Sequence, residues 1–306
     1  MSIINNLLSK FKNKESFSME EAYTVNPSVN KNSVRARIYE NLGKTFNKIA
    51  RGVYSISQNE EECILLEGDG RDLSMLKDNS IDCIITDHPW LDNEANKGGG
   101  RNFVSTYTCF KYTQEDFNEK ARVLKNGCFI CEFVPTETAT NTDYRHDIIV
   151  MARKAGFELY AKVPWKKGNF VANVGRKKKN TEDILIFTKG KAKALRPDVK
   201  KDLADPSKKH YMSGAKGMLP TEFDYNPPSK KERIHQAEKP LGLIEELLDF
   251  FTFPDETVLD QFAGSGVVGE ACLKKKRKSI LIEKDKNHID TIIKRLNLTP
   301  VPSLGV

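Results

Sequence analysis

The stretch Ile84-Ile85-Thr86-Asp87-His88-Pro89-Trp90 decides how this chain is read. From Ile81 to Ile85 the residues are apolar except for Asp82 and Cys83, a run of the length of a buried strand, and it ends in a carboxylate, a proline and a large aromatic ring. In open α/β sheets ligands bind outside the carboxyl ends of the strands, so such an ending places chemistry there. Asp87 can accept a hydrogen bond or a proton from an amine, Pro89 stiffens the loop, and the Trp90 indole offers a flat apolar face. The combination suggests an amino group on a planar ring as substrate. Taken alone, the same residues also describe a strand-to-loop turn with a solvated Asp and a core Trp.

The downstream stretch Thr257-Val258-Leu259-Asp260-Gln261-Phe262-Ala263-Gly264-Ser265-Gly266 moves the balance. An apolar strand runs into a Gly-x-Gly turn and then a helix starting at Val267, which lets a cofactor approach the backbone closely. The next strand, Ser279 to Ile282, ends in Glu283, about where a nucleotide-binding fold places the acid that holds ribose hydroxyls. Only two of the three glycines of a dinucleotide fingerprint are present, so a hydride-transfer cofactor is not favoured.

Outward from these motifs the chain alternates strands and helices from Cys63 on. Strands are expected at 63–67, 128–133, 157–163 and 183–187, and helices at 73–76, 117–124 and 146–155. Gly98-Gly99-Gly100 reads as a mobile loop able to close over a bound ring. The segment from Gly190 to His235 is polar and weakly periodic, an insertion between core elements.

Residues 1–58 read as a separate module, with 59–306 as the main domain. Ser18 and Glu21 form a capping box opening a short helix, and Asn26-Pro27 closes it. A second helix from about Ser33 to Leu42 carries Val34, Ile38 and Leu42 on one face, with Arg35 and Arg37 off that stripe. Phe46 to Ile56 reads as a hairpin turning at Arg51-Gly52, with Lys48 and Arg51 as its basic residues. Helix, helix with exposed arginines, then basic hairpin resembles a winged helix-turn-helix, which lays its second helix in a DNA major groove and sends the wing to the backbone.

The 306 residues carry a formal net charge of +7, which suggests a polyanionic partner. The excess is concentrated between residues 162 and 180, with six Lys, one Arg and no acid. Lys166, Lys167, Arg176, Lys177, Lys178 and Lys179 are therefore candidates for phosphate contact, beside Arg35, Arg37, Lys48 and Arg51. No apolar run approaches membrane-spanning length and no signal-peptide core is evident, so a soluble cytoplasmic protein is expected. Cys128 and Cys131 form a lone Cys-x-x-Cys inside a strand pattern, which favours core thiols over a metal site.

Together the two strand-end motifs resemble the amino-directed (N6-adenine and N4-cytosine) DNA methyltransferases whose catalytic motif precedes the cofactor motif. The resemblance runs from about residue 62 to 297. It rests on Gly68-Asp69, on Asp78 to Asp82 leading into Asp87-His88-Pro89-Trp90, on Glu238-Lys239-Pro240, on Asp260 to Gly266, and on Glu283. It implies an α/β, Rossmann-like methyltransferase fold with a mixed, mostly parallel sheet, with S-adenosylmethionine as cofactor. It assigns the cofactor pocket to Asp69, Lys239, Pro240, Asp260, Phe262, Ala263, Gly264, Ser265, Gly266 and Glu283, and target recognition to the insertion at 190–235. Catalysis falls to Asp87, His88, Pro89 and Trp90. Two positions depart from the pattern: His88 stands where Pro is usual, and Gln261 where Pro is common.

The implied chemistry is direct transfer to an exocyclic amine of a base flipped out of DNA, with Asp87 and the His88 carbonyl accepting the amine hydrogens and Trp90 stacking on the ring. Adenine N6 is favoured because Asp leads the motif, where cytosine enzymes usually carry Ser. N4-cytosine methylation, RNA adenine methylation and a catalytically silent DNA-binding regulator stay open as alternatives. A homodimer is compatible with the resemblance, and a restriction endonuclease partner would be a separate chain, since no nuclease motif is visible. For His88 the expectation is a looser loop with an imidazole beside Asp87, where its charged form would compete with the substrate amine. On that reading the rate falls as pH drops through the His88 titration, and His88→Pro is at least as active.

Overall fold

A computed structural model describes residues 3–11, 14, 16–42, 46–56, 62–90, 109–168, 180–196, 218–229, 233–234 and 237–298. The chain divides into two compact units, Met1–Glu62 and Cys63–Val306.

In the first unit the order is α1 (Ile3–Phe11), β1 (Phe17–Ser18), α2 (Met19–Val25), α3 (Lys31–Glu40), β2 (Phe46–Ala50) and β3 (Val53–Ile56), with the strands antiparallel in the order β1-β3-β2. Ser18 caps α2: its hydroxyl accepts from the Glu21 N–H at 3.2 Å while the Glu21 carboxylate accepts from the Ser18 N–H at 2.7 Å. Val34 and Ile38 are fully buried, and Arg35, Arg37, Lys48 and Arg51 are exposed. Gly52 sits at φ 77°, a conformation that suits glycine in the hairpin turn. The sequence reading lacked α1, whose Leu7 and Phe11 close the small core, Phe11 stacking on Phe17 at 4.4 Å.

The second unit is built on one eight-stranded sheet. Its strands are β4 (Cys63–Glu67), β5 (Ile81–Thr86), β6 (Leu124–Pro135), β7 (Phe157–Lys166), β8 (Thr181–Lys189), β9 (Phe223–Asp224), β10 (Thr257–Asp260) and β11 (Lys278–Glu283), in the order β4-β11-β10-β5-β6-β8-β7-β9. The first five in that order are parallel; β8 is antiparallel to both β6 and β7. The sheet is therefore mixed and mostly parallel, with helices on both faces. On one face α6 (Leu241–Phe251), α7 (Val267–Lys274) and α8 (Lys286–Leu296) cover Cys83, Ile85, Val258 and Leu281. On the other, α4 (Gln114–Val123) and α5 (Thr142–Lys154) cover Ile84, Ile130 and Leu259.

All six residues of β5 are buried, as its apolar run requires. From β5 the chain proceeds to β6 on one side, and from β10 to β11 on the other. The loops leaving β5 and β10 thus diverge, and a crevice opens between their carboxyl ends.

Several local expectations change. Leu73 to Leu76 form a turn, not a helix: the Leu76 N–H donates to the Leu73 carbonyl at 2.9 Å, and the Arg122 guanidinium donates to the Leu73 and Leu76 carbonyls at 2.8 and 2.7 Å. Cys128 and Cys131 pack into the cores on opposite faces of the sheet, so they cannot share a ligand. The insertion contributes β9 to the sheet edge, while its residues 197–217, the glycine loop 98–100, Arg176 and Lys177 to Lys179 lie outside the described residues. Among the described residues no helix is long and apolar enough to cross a membrane.

Candidate active site

A cavity of about 670 Å³ occupies the crevice. Its walls are Asp87 to Trp90 after β5, Asp260 to Ser265 after β10, Glu283 at the end of β11, and Asp69 after β4. Two chemically different ends share this one space.

At the first end the Gly264 N–H donates to Glu283 Oε2 at 2.8 Å, and the N–H groups of Lys284 and Asp285 donate to Oε1 at 2.9 and 2.8 Å. This pins the carboxylate against the glycine turn. Gly266 caps α7 at φ 75°, and a Cβ there would press within 3.0 Å of Ile292. Gln261, in the place where Pro is common, sends Nε2 to the Gly70 carbonyl at 2.6 Å, and a Cβ on Gly70 would lie 1.8 Å from the Gln261 oxygen. The turns after β4 and β10 are thereby laced together. Asp260 is buried, and burial pushes its carboxyl up to about 7, against the hydrogen bond from the Phe262 N–H and with the charges of Asp87 and Glu283 adding to the rise.

At the second end Asp87 Oδ2 accepts from Lys239 Nζ at 2.5 Å, and the same ammonium lies 3.2 Å from Glu182 Oε2. Glu182 Oε1 in turn holds Lys167 Nζ at 2.5 Å. Burial raises the Asp87 carboxyl although 31 % of its side chain faces the cavity, and Lys239 acts in the opposite sense. Burial opposes the Lys239 charge, yet the two carboxylates raise its titration above that of an ordinary lysine. Lys239 is thus turned toward Asp87 and Glu182, between the Phe133 and Trp165 rings at 5.1 and 5.8 Å. The family resemblance places it with the cofactor.

Three further expectations are corrected. His88 is buried and its ring nitrogens are bonded to groups other than Asp87: Nδ1 lies 2.8 Å from Glu132 Oε1 and Nε2 lies 3.0 Å from the Tyr144 hydroxyl. An imidazole spent on those partners does not compete with an amine for Asp87, which removes the basis for the expected pH limb. Lys166 Nζ lies 2.6 Å from Asp224 and Lys167 Nζ 2.5 Å from Glu182, so phosphate would have to compete with a carboxylate for each. Pro240 does not line the cavity; it stands at the N-cap of α6. Glu182, Arg71 and Phe110 line the space without having been anticipated, the Arg71 guanidinium lying 4.9 Å from the Phe110 ring and bonded to Asp116. None of these three lies in a recognisable motif.

Residues 81–295 match the family model of N6- and N4-directed DNA methylases. The chain belongs to that family. This methyltransferase is 27 % identical over 250 residues to the type II methyltransferase M2.DpnII of Streptococcus pneumoniae, covering 78 % of this chain and 91 % of that one. It is 26 % identical over 231 residues to M.HpaI of Haemophilus parainfluenzae, covering 74 % and 71 % of the two chains. Among solved structures, the M1.HpyAVI complex with S-adenosylmethionine superposes with a TM-score of 0.54 at 25 % identity, over 77 % of this chain and all of that one. The cytosine-N4-specific PvuII methyltransferase shares the fold with a TM-score of 0.55 at 15 % identity, over 80 % and 90 %.

The enzyme is a DNA methyltransferase that uses S-adenosylmethionine. The residues present fit that cofactor: a pinned carboxylate suits vicinal ribose hydroxyls, the buried Asp260 suits an ammonium, and Phe262 and Ile282 supply apolar wall.

Proposed function

We propose that the enzyme methylates the N6 amine of an adenine flipped out of DNA, with Asp87 as the acceptor for the amine. The observation that carries this is the placement of Asp87 on the same cavity as the Gly264 to Glu283 end, one oxygen held by Lys239 and the other without a hydrogen bond among the described residues. Bound at the Glu283 end, S-adenosylmethionine would supply an electrophilic methyl group. Glu283 would accept from the ribose hydroxyls, and Asp260 from the methionyl ammonium. Asp69 lines the same pocket.

An aromatic amine is a weak nucleophile because its lone pair is delocalised into the ring. Asp87 and the His88 carbonyl draw its two hydrogens toward themselves, which favours a pyramidal nitrogen with the lone pair aimed away from them. Lys239 keeps Asp87 ionised in a site that would otherwise protonate it, so that it remains an acceptor. Trp90 stacks on the extruded ring, its indole braced edge-on by Tyr144 at 4.9 Å. The leading Asp supports adenine over cytosine, and the likeness to PvuII methyltransferase at 15 % identity speaks only to fold. Replacing Asp87 with Ala tests the reading: labelled methyl transfer to DNA should be lost while cofactor affinity stays within a few fold, and substantial residual transfer removes Asp87 from the mechanism.

The first unit is read as a winged-helix DNA-binding module. Its order of helix, strand, two helices and hairpin supports this, with α3 presenting Arg35 and Arg37 to the major groove and the β2–β3 hairpin presenting Lys48 and Arg51 to phosphates. Because two relatives are type II methyltransferases, a separate restriction endonuclease is the expected companion.

A further inference from the structure

Behind the Asp87 loop lies a fully buried polar cluster that direct transfer to an amine does not use. Lys120 and Glu132 are both 0 % exposed, 2.7 Å apart, one on α4 and the other on β6. Lys120 Nζ also donates to the Tyr112 hydroxyl at 3.0 Å, which donates in turn to Glu132 Oε1 at 3.2 Å. The Tyr144 hydroxyl accepts from the Tyr112 N–H at 2.7 Å, so its own hydrogen is free for His88 Nε2, 3.0 Å away. His88 Nδ1 then carries the hydrogen donated to Glu132 Oε1, and each polar side chain of the cluster has a partner. A buried lysine–glutamate pair carries a desolvation cost that an apolar core avoids.

The cluster grips both strands of the loop base. His88 belongs to the chain leaving β5 and Tyr112 to the chain returning toward α4, and the Phe110 N–H ties the two sides by donating to the Pro89 carbonyl at 3.2 Å. The His88 ring also lies 4.8 Å from that of Trp90 and 4.1 Å from that of Tyr112. We infer that His88 is a positioning residue: its imidazole, clamped between Glu132 and Tyr144, anchors Asp87 and Trp90 in their working geometry, replacing by side-chain bonds the stiffness that a second proline gives the usual motif. The inference rests on Asp87 and Trp90 being the groups that hold the base.

The test uses the full chain with His88→Pro, His88→Asn and Tyr144→Phe. Single-turnover methyl transfer to DNA, cofactor affinity and acrylamide quenching of tryptophan emission are read on each. The chain has two tryptophans, and Trp165 is only 2 % exposed, so quenching reports Trp90. His88→Pro should slow transfer by about a hundredfold, the loss expected from a displacement of about 1 Å. Its cofactor affinity should hold and its quenching rise. His88→Asn, whose amide can still donate to Glu132, should recover most of the rate. Tyr144→Phe, which keeps the ring and leaves the backbone after β5 untouched, should be several-fold slow with raised quenching. A folded His88→Pro with wild-type rate and quenching overturns the anchor, as does a Tyr144→Phe enzyme unchanged in both, or a His88→Asn enzyme as slow as His88→Pro. A wild-type protein that transfers no methyl group to DNA overturns the Asp87 reading instead, and the quenching comparison then decides the anchor by itself.

Discussion

Replacing Lys239 with Met removes one ammonium and keeps most of the side-chain volume. In the native site that ammonium sits 2.5 Å from Asp87 and 3.2 Å from Glu182, with the lysine side chain only 9 % exposed. Without it Asp87 has no ion-pair partner among the described residues, while Glu182 keeps Lys167. Breaking a buried pair by deleting one partner costs about 3 to 5 kcal/mol, and the cavity-facing side of Asp87 argues for the lower end. Part of that cost is escaped by protonating Asp87, whose carboxyl burial already raises. If about 3 kcal/mol is added to ionising Asp87, the ratio of its ionised to its protonated form falls about a hundredfold at any given pH, since about 1.4 kcal/mol corresponds to a factor of ten. The direction in pH follows. An Asp87 that must be ionised gives a rate that falls as pH drops, and Lys239→Met moves that fall to higher pH, so the variant recovers toward wild type in alkaline buffer. Single-turnover rates across pH, with cofactor affinity measured in parallel, check this. A variant with the wild-type pH profile shows that Lys239 does not hold Asp87 ionised. A variant whose main defect is cofactor binding returns Lys239 to the role implied by the family resemblance.

Asp260 supplies a second pH dependence: with its carboxyl pushed up to about 7, affinity for the cationic cofactor should fall as pH drops through about 7, and Asp260→Asn should bind more weakly above that value with the dependence gone, as calorimetry in several buffers would show. Glu283→Ala should weaken cofactor binding by about 1.5 to 3 kcal/mol, and unchanged calorimetric affinity would remove Glu283 from the ribose site. Deleting residues 1–62 should leave a folded, cofactor-binding unit whose DNA affinity is weaker and less salt-dependent, because Arg35, Arg37, Lys48 and Arg51 no longer neutralise phosphates; a fluorescence-anisotropy salt titration reads this.

The parts of this site legible in the sequence are those fixed by a few consecutive residues. The buried strand ending at Asp87, the glycine turn after β10 and the acid closing β11 each follow from local patterning, and the sheet order then brings them to one crevice. The capping box at Ser18 and the turn at Gly52 belong to the same class. What was hidden depends on contacts between distant residues. Lys239 reaches Asp87 across 152 residues, and His88 reaches Glu132 and Tyr144 across 44 and 56. A rule that an imidazole next to a carboxylate in sequence bonds to it fails here, because the two ring nitrogens of His88 are taken by Glu132 and Tyr144. The charge run around Lys166 misled for a related reason: Glu182 and Asp224, which neutralise two of its lysines, come from other strands. Arg122 shows the same effect on the backbone, donating to the Leu73 and Leu76 carbonyls across 49 and 46 residues.

Methylation of adenine N6 in DNA is tested most directly by identifying the product. Unmethylated DNA is incubated with the enzyme and methyl-labelled S-adenosylmethionine, digested to nucleosides and separated by chromatography with mass detection. Label is expected in N6-methyldeoxyadenosine, with none from the Asp87→Ala enzyme. Label in N4-methyldeoxycytidine, or label in RNA and not in DNA, would contradict it.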